Sequence, residues 1–165
     1  MDRLRSIGIN KGVTSMFRGL YEHTIDAKGR TSLPVRFRET LEQSSDDGDT
    51  RLIVTTGIDK CLVAYPVSEW DAFETRLAAL SQFDPAVVTL KRIYVAGATD
   101  CTIDKHGRLL IPPMLREYAG LSRDVVWAGM VTFIEIWSKD YWTQQAMVSR
   151  QSRDAVARAL TELGL

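Results

Sequence analysis

The feature that most constrains this chain is an internal repeat, because one stretch of sequence returns 78 residues later. The first copy of this stretch reads DAKGRTSLP at residues 26–34, and the second reads DKHGRLLIP at residues 104–112. At the same offset, the dipeptide Arg-Glu occurs at residues 38–39 and again at 116–117. A repeat of this kind predicts two copies of one small unit, each too short to bury its own hydrophobic face, that pack against each other.

Each copy predicts the same order of elements: a strand, a tight turn, a strand, a short helix, two more strands and a closing helix. Gly29 and Gly107 supply the backbone freedom that the turn needs, and Asp26 and Asp104 can accept hydrogen bonds from the amides of their own turns. Later positions align at a shorter offset of 72, because the first copy gains six residues in the acidic stretch 43–50. We therefore predict an α+β fold, mainly β, in which the two copies form one pseudo-twofold barrel with short flanking helices.

The repeat also divides the chain into segments. We predict an N-terminal extension, a first repeat, a linker helix, a second repeat and a C-terminal helix or tail over residues 1–15, 16–81, 82–94, 95–145 and 146–165. The linker helix begins at Asp84-Pro85, and the closing helix of the first copy begins at Ser68, with Asp71 completing a variant of the capping box. The C-terminal segment predicts a helix on which Val156, Leu160 and Leu163 form an aliphatic face. That face suits a partner surface or a lid.

The charge of the chain is unevenly distributed. The sequence has 21 Lys and Arg residues and 21 Asp and Glu residues, so its formal net charge is zero. Residues 1–40 carry a net +4, residues 41–90 carry −6, and residues 91–122 carry +2. Each of the two basic segments contains one copy of the motif. A neutral total can therefore conceal a basic surface of the kind that is typical of proteins that bind nucleic acid.

The sequence offers little support for catalysis, cofactors or a membrane. Cys61 and Cys101 form no C-x-x-C pair and are interpreted as reduced thiols of the core. His23 and His106 lack the spacing of metal ligands, and the chain has no nucleophile motif and no glycine-rich phosphate loop. We therefore expect no catalytic residues, no metal, no cofactor and no small-molecule substrate. Because the sequence has no apolar run long enough to span a bilayer, we expect a cytoplasmic protein.

The motif itself suits contact with an anion. Lys28, Gly29 and Arg30 place an ammonium and a guanidinium fork on a small turn that can approach a phosphate or a base edge closely. An arginine can also bind guanine through two hydrogen bonds in the major groove. The alternative is that Arg30 and Arg108 pair with the Asp of their own turn and simply lock it. His106 is equally compatible with donating to nucleic acid and with filling the loop.

Two stretches resemble the bacterial MraZ family. They are Met16-Phe17-Arg18-Gly19 with residues 21–30, and residues 104–113 with 115–121. The resemblance implies two SpoVT/AbrB-like units in one chain, hence a double-split β-barrel of two AbrB-like repeats. It also implies a ring-shaped homo-oligomer that binds tandem direct repeats in promoter DNA. Proteins of this family are expected to repress the division and cell-wall gene cluster, including their own gene, and to associate with the nucleoid.

The resemblance also carries over to particular residues. The DNA-contacting arginine of the family falls on Arg30, with Lys28 and Gly29 beside it. Arg108 is its counterpart in the second copy, and Lys105 and His106 of the second turn complete the candidate DNA-binding residues. Arg18 matches an early arginine of the family, which suits either a phosphate contact or a structural role.

This chain departs from the family pattern in three places. They are residues 1–15, the acidic loop at residues 46–49, and the segment 130–133, which replaces a polar, glycine-containing turn. The competing hypothesis is an oligomeric assembly or antitoxin-like module that binds another protein and has no DNA specificity. Salt dependence separates the two hypotheses, because binding through phosphate contacts weakens steeply as salt is added.

Overall fold

The computed structural model describes residues 16–45 and 47–165 of the chain, the side chains of residues 147–151 excepted. The predicted N-terminal extension, residues 1–15, and Asp46 of the acidic loop lie outside the described residues. The elements in chain order are β1 (Leu20–Thr24), β2 (Arg30–Ser32), α1 (Val35–Ser44), β3 (Leu52–Thr56), β4 (Leu62–Pro66), α2 (Val67–Ala78), α3 (Pro85–Leu90) with a π-helical turn (Lys91–Val95), β5 (Thr99–Cys101), β6 (Arg108–Leu110), α4 (Pro113–Ala119), β7 (Asp124–Gly129), β8 (Ile134–Ser138), α5 (Lys139–Gln151) and α6 (Arg153–Glu162).

Within the described residues, the strands form two sheets that share one core. The larger sheet has the order β1-β7-β8-β4-β3-β5, and every neighbouring pair in it is antiparallel. The smaller sheet is the antiparallel pair β2 and β6. Each edge strand of the larger sheet, β1 or β5, leads through one motif turn into the smaller sheet. Two sheets joined in this way form a split barrel, so the predicted α+β fold of two repeated units is confirmed.

The core is built from both copies of the repeat. Its largest fully buried side chains include Trp127, Leu52 and Ile136 from the larger sheet and Leu109 from the smaller sheet. Phe37 of α1 and its neighbour Leu41 close one side of this core. Burial of one such side chain contributes about 1.5–3 kcal/mol. Because the same cluster takes residues from both halves, neither half has a complete core of its own.

Some helix ends lie where local sequence signals place them, and one predicted helix start does not. The side chain of Asp84 accepts a hydrogen bond from the amide of Ala86 (2.9 Å) and caps α3, as predicted. Gly120 ends α4 with a φ of +63°, the left-handed conformation that glycine commonly adopts at a helix C-terminus. The capping box at Ser68 is wrong, because α2 begins at Val67 and has no side-chain cap. Pro66 occupies the N-cap position with a φ of −56°, which places Ser68 inside the first turn.

The hairpin between β7 and β8 has an unusual backbone. Val131 has a φ of +69°, although it is a β-branched residue, and such residues are outliers in the left-handed region. Two hydrogen bonds with Phe17 hold it there: the amide of Phe17 donates to the carbonyl of Val131 (2.8 Å), and the amide of Val131 donates back (3.0 Å). The hairpin at residues 130–133 therefore carries local backbone strain at Val131, while both motif turns keep their own hydrogen bonds.

The cysteines match their interpretation as core thiols. Cys61 and Cys101 are free and buried. Burial raises the pKa of Cys101 to about 11 and raises that of Cys61 further. No helix in the part of the chain that the structure describes is long and apolar enough to cross a membrane.

Candidate nucleic-acid interface

The first motif turn, residues 26–30, is held together by the carboxylate of Asp26. Its Oδ1 accepts hydrogen bonds from the backbone amides of Lys28 (3.0 Å) and Arg30 (2.9 Å), and its Oδ2 accepts one from Nε of Arg30 (2.8 Å). Gly29 completes the turn with a φ of +92°. The amide of Arg30, followed by its guanidinium, holds the pKa of Asp26 below its usual value, because hydrogen bonds and positive charge favour the ionised carboxylate.

The second motif turn, residues 104–108, repeats this arrangement. Oδ1 of Asp104 accepts from the amides of His106 (2.8 Å) and Arg108 (3.0 Å), and Oδ2 accepts from Nε of Arg108 (3.1 Å). Gly107 has a φ of +77°. The pKa of Asp104 is lowered as well, chiefly by the amide of Arg108. The two turns therefore share one geometry, as their sequences predict.

Both arginines form the ion pair within the turn, and both keep part of the guanidinium available. Nε of Arg30 and Nε of Arg108 each donate a hydrogen bond to the aspartate of their own turn. The Nη1 and Nη2 groups of these two arginines donate no hydrogen bond to any described residue. Of the five N–H donors on a guanidinium, four belong to these terminal nitrogens. The carboxylate therefore orients each arginine without consuming its capacity to bind an anion or a base edge.

The pairing of β2 with β6 joins the two turns into one surface. Arg30 lies opposite Leu110 and Ser32 lies opposite Arg108, with Thr31 opposite Leu109 at the centre. Thr31 and Leu109 are 2% and 0% exposed, so they point into the core. Side chains alternate along a strand, so the other four lie on the outer side. We call this surface the arginine face, formed by Arg30, Ser32, Arg108 and Leu110.

Backbone hydrogen bonds between the two copies of the repeat fix the position of each turn. The amide of Ile111 donates to the carbonyl of Gly29 (2.8 Å), and the amide of Leu33 donates to the carbonyl of Gly107 (2.9 Å). In addition, Nδ1 of His23 on β1 donates to the carbonyl of Ser32 (2.7 Å). Each turn is thus held by the strand that follows the other turn.

Two helix arginines contact the turn of the opposite copy. Arg116 of α4 donates from Nε to the carbonyl of Ile111 (3.0 Å) and from Nη1 to the carbonyl of Ala27 in the first turn (3.4 Å). Its counterpart Arg38 of α1 lies against Gly107, where an added Cβ would be 2.9 Å from Nη1 of Arg38. Arg38 also pairs with Glu42, with 3.4 Å between Nε and Oε1. The helices therefore brace the turns across the pseudo-twofold axis.

The structure brings most of the predicted site residues together. Lys28, Lys105 and His106 are exposed on the two turns, while Gly29 is buried in the interface between the copies. Arg18 is also exposed, but it lies before β1, at the opposite end of that strand from Asp26. The strand β1 between them has five residues, and at about 3.3 Å per residue it is about 16 Å long. Arg18 is therefore not part of the arginine face of the same protomer.

Sequence reasoning missed three contributors to this surface. Leu110 could have been found from strand alternation, because it lies two residues beyond Arg108 on the same side of β6. Arg38 and Arg116 align at the offset of the repeat, and that alignment indicated only that the repeat continued. No local pattern in the sequence predicts that each arginine contacts the turn of the other copy. The residues in such a contact are far apart in the chain: the hydrogen bond from Arg116 to Ala27 spans 89 positions.

Comparison with known proteins identifies relatives along most of the chain. The family model described as "MraZ protein, putative antitoxin-like" matches residues 16–93 and again residues 94–163. A protein of Desulfitobacterium hafniense named "Transcriptional regulator MraZ" is 45% identical over 148 residues, which cover 90% of this chain and 96% of the relative. Proteins of the same name from Caldicellulosiruptor bescii and Lachnoclostridium phytofermentans are 41% and 43% identical over 150 residues, covering 91% of this chain and 100% and 99% of those relatives.

Proposed function

The chain belongs to the MraZ family, and we propose that it is a transcriptional regulator that binds double-stranded DNA sequence-specifically through the arginine face. The relatives are named as transcriptional regulators, and the similarity covers almost their whole length. The family model matches each half of the chain once, in agreement with the two motif turns. Regulation of transcription, rather than catalysis, is therefore the starting point for interpreting the site.

The observation that carries the proposal is the shape and chemistry of the arginine face. The major groove of B-DNA is about 12 Å wide and admits a two-stranded β-ribbon. Arg30 and Arg108 occupy diagonal positions on β2 and β6, which places their Cα atoms about 7–8 Å apart. Their free terminal nitrogens match the O6 and N7 acceptors of guanine or the oxygens of phosphate. Lys28 and Lys105 extend the positive charge at the two ends of the ribbon.

Self-assembly explains how a chain with zero net charge would bind a polyanion. One protomer offers few phosphate contacts, but copies arranged in a ring repeat the arginine face and sum their contacts on one DNA molecule. Tandem direct repeats in the promoter are the matching arrangement of binding sites. The ring is therefore part of the proposal, and the repeats are its DNA counterpart.

Two apolar surfaces of the protomer support assembly. Every residue of α6 is exposed, including Val156, Leu160 and, just beyond its end, Leu163. A separate apolar groove of about 440 Å³ lies between α2 and the linker helix, with Leu77 and Val95 among its lining residues. Different surfaces that contact each other between copies produce head-to-tail assemblies, which close into rings when the rotation permits.

The regulatory target follows from the family resemblance. We propose that the protein represses the division and cell-wall gene cluster, including its own gene, and that it acts in the cytoplasm at the nucleoid. Its partners in this proposal are promoter DNA and further copies of itself.

The experiment that tests the proposal is a gel shift of the full chain with the DNA immediately upstream of its own gene, beside scrambled DNA of equal length, at two salt concentrations. We expect selective binding that weakens by about 0.9 log units per phosphate contact for each log unit of salt. Light scattering of the same sample measures the mass of the assembly. Equal binding to both DNAs would overturn the proposal.

The second candidate function is an antitoxin-like or assembly module that binds another protein. The exposed aliphatic face of α6 and the antitoxin-like description of the family favour it. Binding of a protein partner through an apolar interface would be nearly insensitive to salt, whereas the arginine face predicts the opposite. The two salt concentrations of the gel shift therefore discriminate between the candidates.

A further inference from the structure

The arginine face is not symmetric, although the two turns that flank it share the same backbone hydrogen bonds. The pseudo-twofold axis passes between Thr31 and Leu109 and exchanges Arg30 with Arg108. The same axis exchanges Ser32 with Leu110. Opposite the two arginines, the first copy therefore presents the hydroxyl group of Ser32 and the second copy presents the isobutyl group of Leu110.

The fold does not explain why Leu110 is apolar. It is 58% exposed and is not part of the hydrophobic core. Ser32 occupies the equivalent place in the same backbone pairing and is exposed as well, so the ribbon forms with a polar residue at this position. A lone exposed leucine is common on protein surfaces, but this one is the direct cross-strand neighbour of Arg30.

We propose that Leu110 is a specificity-determining residue that contacts the 5-methyl group of a thymine beside the base bound by Arg30. This inference rests on the proposed function. In the major groove the thymine methyl group is the one apolar mark, and aliphatic side chains recognise it by contact. Directly opposed side chains on paired strands lie about 4.5–5.5 Å apart at Cβ, so Leu110 and the fork of Arg30 reach adjacent base pairs.

The same pair of residues gives the ribbon a direction. A face with two arginines and two identical neighbours would contact a site equally well in either orientation. Leu110 on one side and Ser32 on the other remove that equivalence, because the serine hydroxyl requires a polar base edge where the leucine requires a methyl group. Sites arranged as direct repeats need a reader of this kind, since every subunit meets its site in the same orientation.

The test uses uracil, which differs from thymine only by the missing methyl group. In the upstream DNA bound by the full chain, each thymine is replaced in turn by deoxyuridine, and the affinity is measured. For the unaltered protein we expect one sensitive thymine in each repeat. Each missing methyl group should weaken binding about fourfold, as expected when one buried methyl group is removed from an apolar interface.

Substitution of Leu110 assigns the effect to this side chain. Leu110→Ala should bind the thymine and uracil DNAs equally, whereas the matched control Leu20→Ala, which alters a similarly exposed leucine (52%) at the far end of β1, should keep the discrimination. Thermal unfolding of both variants checks that the fold is retained, as expected for exposed positions. Leu110→Ser, which gives the two positions the same side chain, should also reduce the preference for a repeat over its inverted form.

The outcomes separate the inference from the function beneath it. Selective binding that no uracil affects would overturn the role of Leu110 and leave the regulator function standing. A uracil effect that survives in Leu110→Ala would assign the methyl contact to another residue and would also overturn it. Binding without preference for the upstream DNA would remove the proposed function, and this inference with it.

Discussion

The two motif turns have the same hydrogen bonds but different surroundings. In the first turn, Arg116 is committed to backbone carbonyls, including that of Ala27. In the second turn, the equivalent Arg38 is shared with Glu42, whereas copy two has Gly120 where copy one has Glu42. The two copies therefore share the aspartate hydrogen bonds that shape each turn, and they differ in the helix-arginine contacts that support it.

This difference makes the first turn the more positive one. Lys28, Arg30 and Arg116 stand against the single carboxylate of Asp26 there, three cations against one anion. At the second turn, Lys105, Arg108 and Arg38 stand against the carboxylates of Asp104 and Glu42, three cations against two. Since phosphate attraction grows with local positive charge, the first turn is expected to contribute more to DNA binding.

The largest effect that tests this comparison is expected from Arg30→Ala. Removal of one bidentate arginine weakens binding about ten- to hundredfold at each occupied site, and a ring multiplies the loss. Arg108→Ala should weaken binding by a smaller factor in the same gel shift. Arg30→Lys is the matched control that keeps the charge and removes the planar fork, so it should retain non-specific binding and lose selectivity.

Folding and assembly decide how that result is interpreted. Unfolding temperature and particle mass should be nearly unchanged in Arg30→Ala, because its ion pair with Asp26 is about 40% exposed on both sides and exposed pairs contribute little. A variant that unfolds or dissociates would support the alternative in which Arg30 only locks its turn. Equal losses for both arginines would remove the proposed difference between the turns.

The second prediction concerns the glycines. An added Cβ at Gly29 would lie 2.6 Å from the backbone oxygen of Ile111, whereas at Gly107 the nearest atom, at 2.9 Å, is the end of the Arg38 side chain. Both substitutions by alanine carry the cost of a positive φ, about 1–2 kcal/mol. Gly29→Ala also forces a backbone shift, which adds about 1–3 kcal/mol.

Denaturant unfolding measures this contrast directly. We expect Gly29→Ala to lower the free energy of unfolding more than Gly107→Ala, because a flexible arginine can move and the backbone of Ile111 cannot. Gly48→Ala is a suitable control, since Gly48 also has a positive φ (+78°) but nothing within 4 Å of its added Cβ. Equal effects at Gly29 and Gly107 would show that the two turns are supported alike.

The sequence predicts the local part of this picture well and its long-range part poorly. The glycine of each turn and the carboxylate that accepts its amides lie within five consecutive residues, so pattern reasoning finds them in each copy of the repeat. The pairing of β2 with β6 is not local, and it alone brings Arg30 and Arg108 onto one face. The exposed position of Leu110 follows only after that register is known.

Two further differences have physical reasons of the same kind. The capping box at Ser68 fails because the helix begins at Val67, one residue earlier than the polar pattern indicates, with Pro66 at the N-cap. The strained Val131 is held by hydrogen bonds to Phe17, which is distant in sequence. In both cases, a neighbour outside the local pattern decides the backbone conformation.

A third, smaller effect should follow from Glu42→Gln. Removing this carboxylate releases Arg38 from its ion pair and gives the second turn the same charge balance as the first. DNA affinity at low salt should rise by a few fold, and the salt dependence should steepen, by at most about 0.9 log units for each additional phosphate contact. Glu39→Gln, at an exposed position of the same helix, controls for the general loss of a negative charge. A gain shared by both variants would contradict a specific role for Glu42.

The smallest effect is expected at acidic pH, where the comparison predicts equality. The folded-state pKa values of Asp26 and Asp104 both lie below the ordinary value of 3.8, so each carboxylate stabilises the fold above that pH and loses its contribution as the pH falls through the lowered value. Asparagine in place of either aspartate retains one amide acceptor and removes the titration. Asp26→Asn and Asp104→Asn should therefore each flatten the loss of unfolding temperature below pH 3.8 by a similar amount. A clearly larger change for one of them would show that the turns differ in their own hydrogen bonds, whereas a similar change would confine the difference to the helix arginines that brace them.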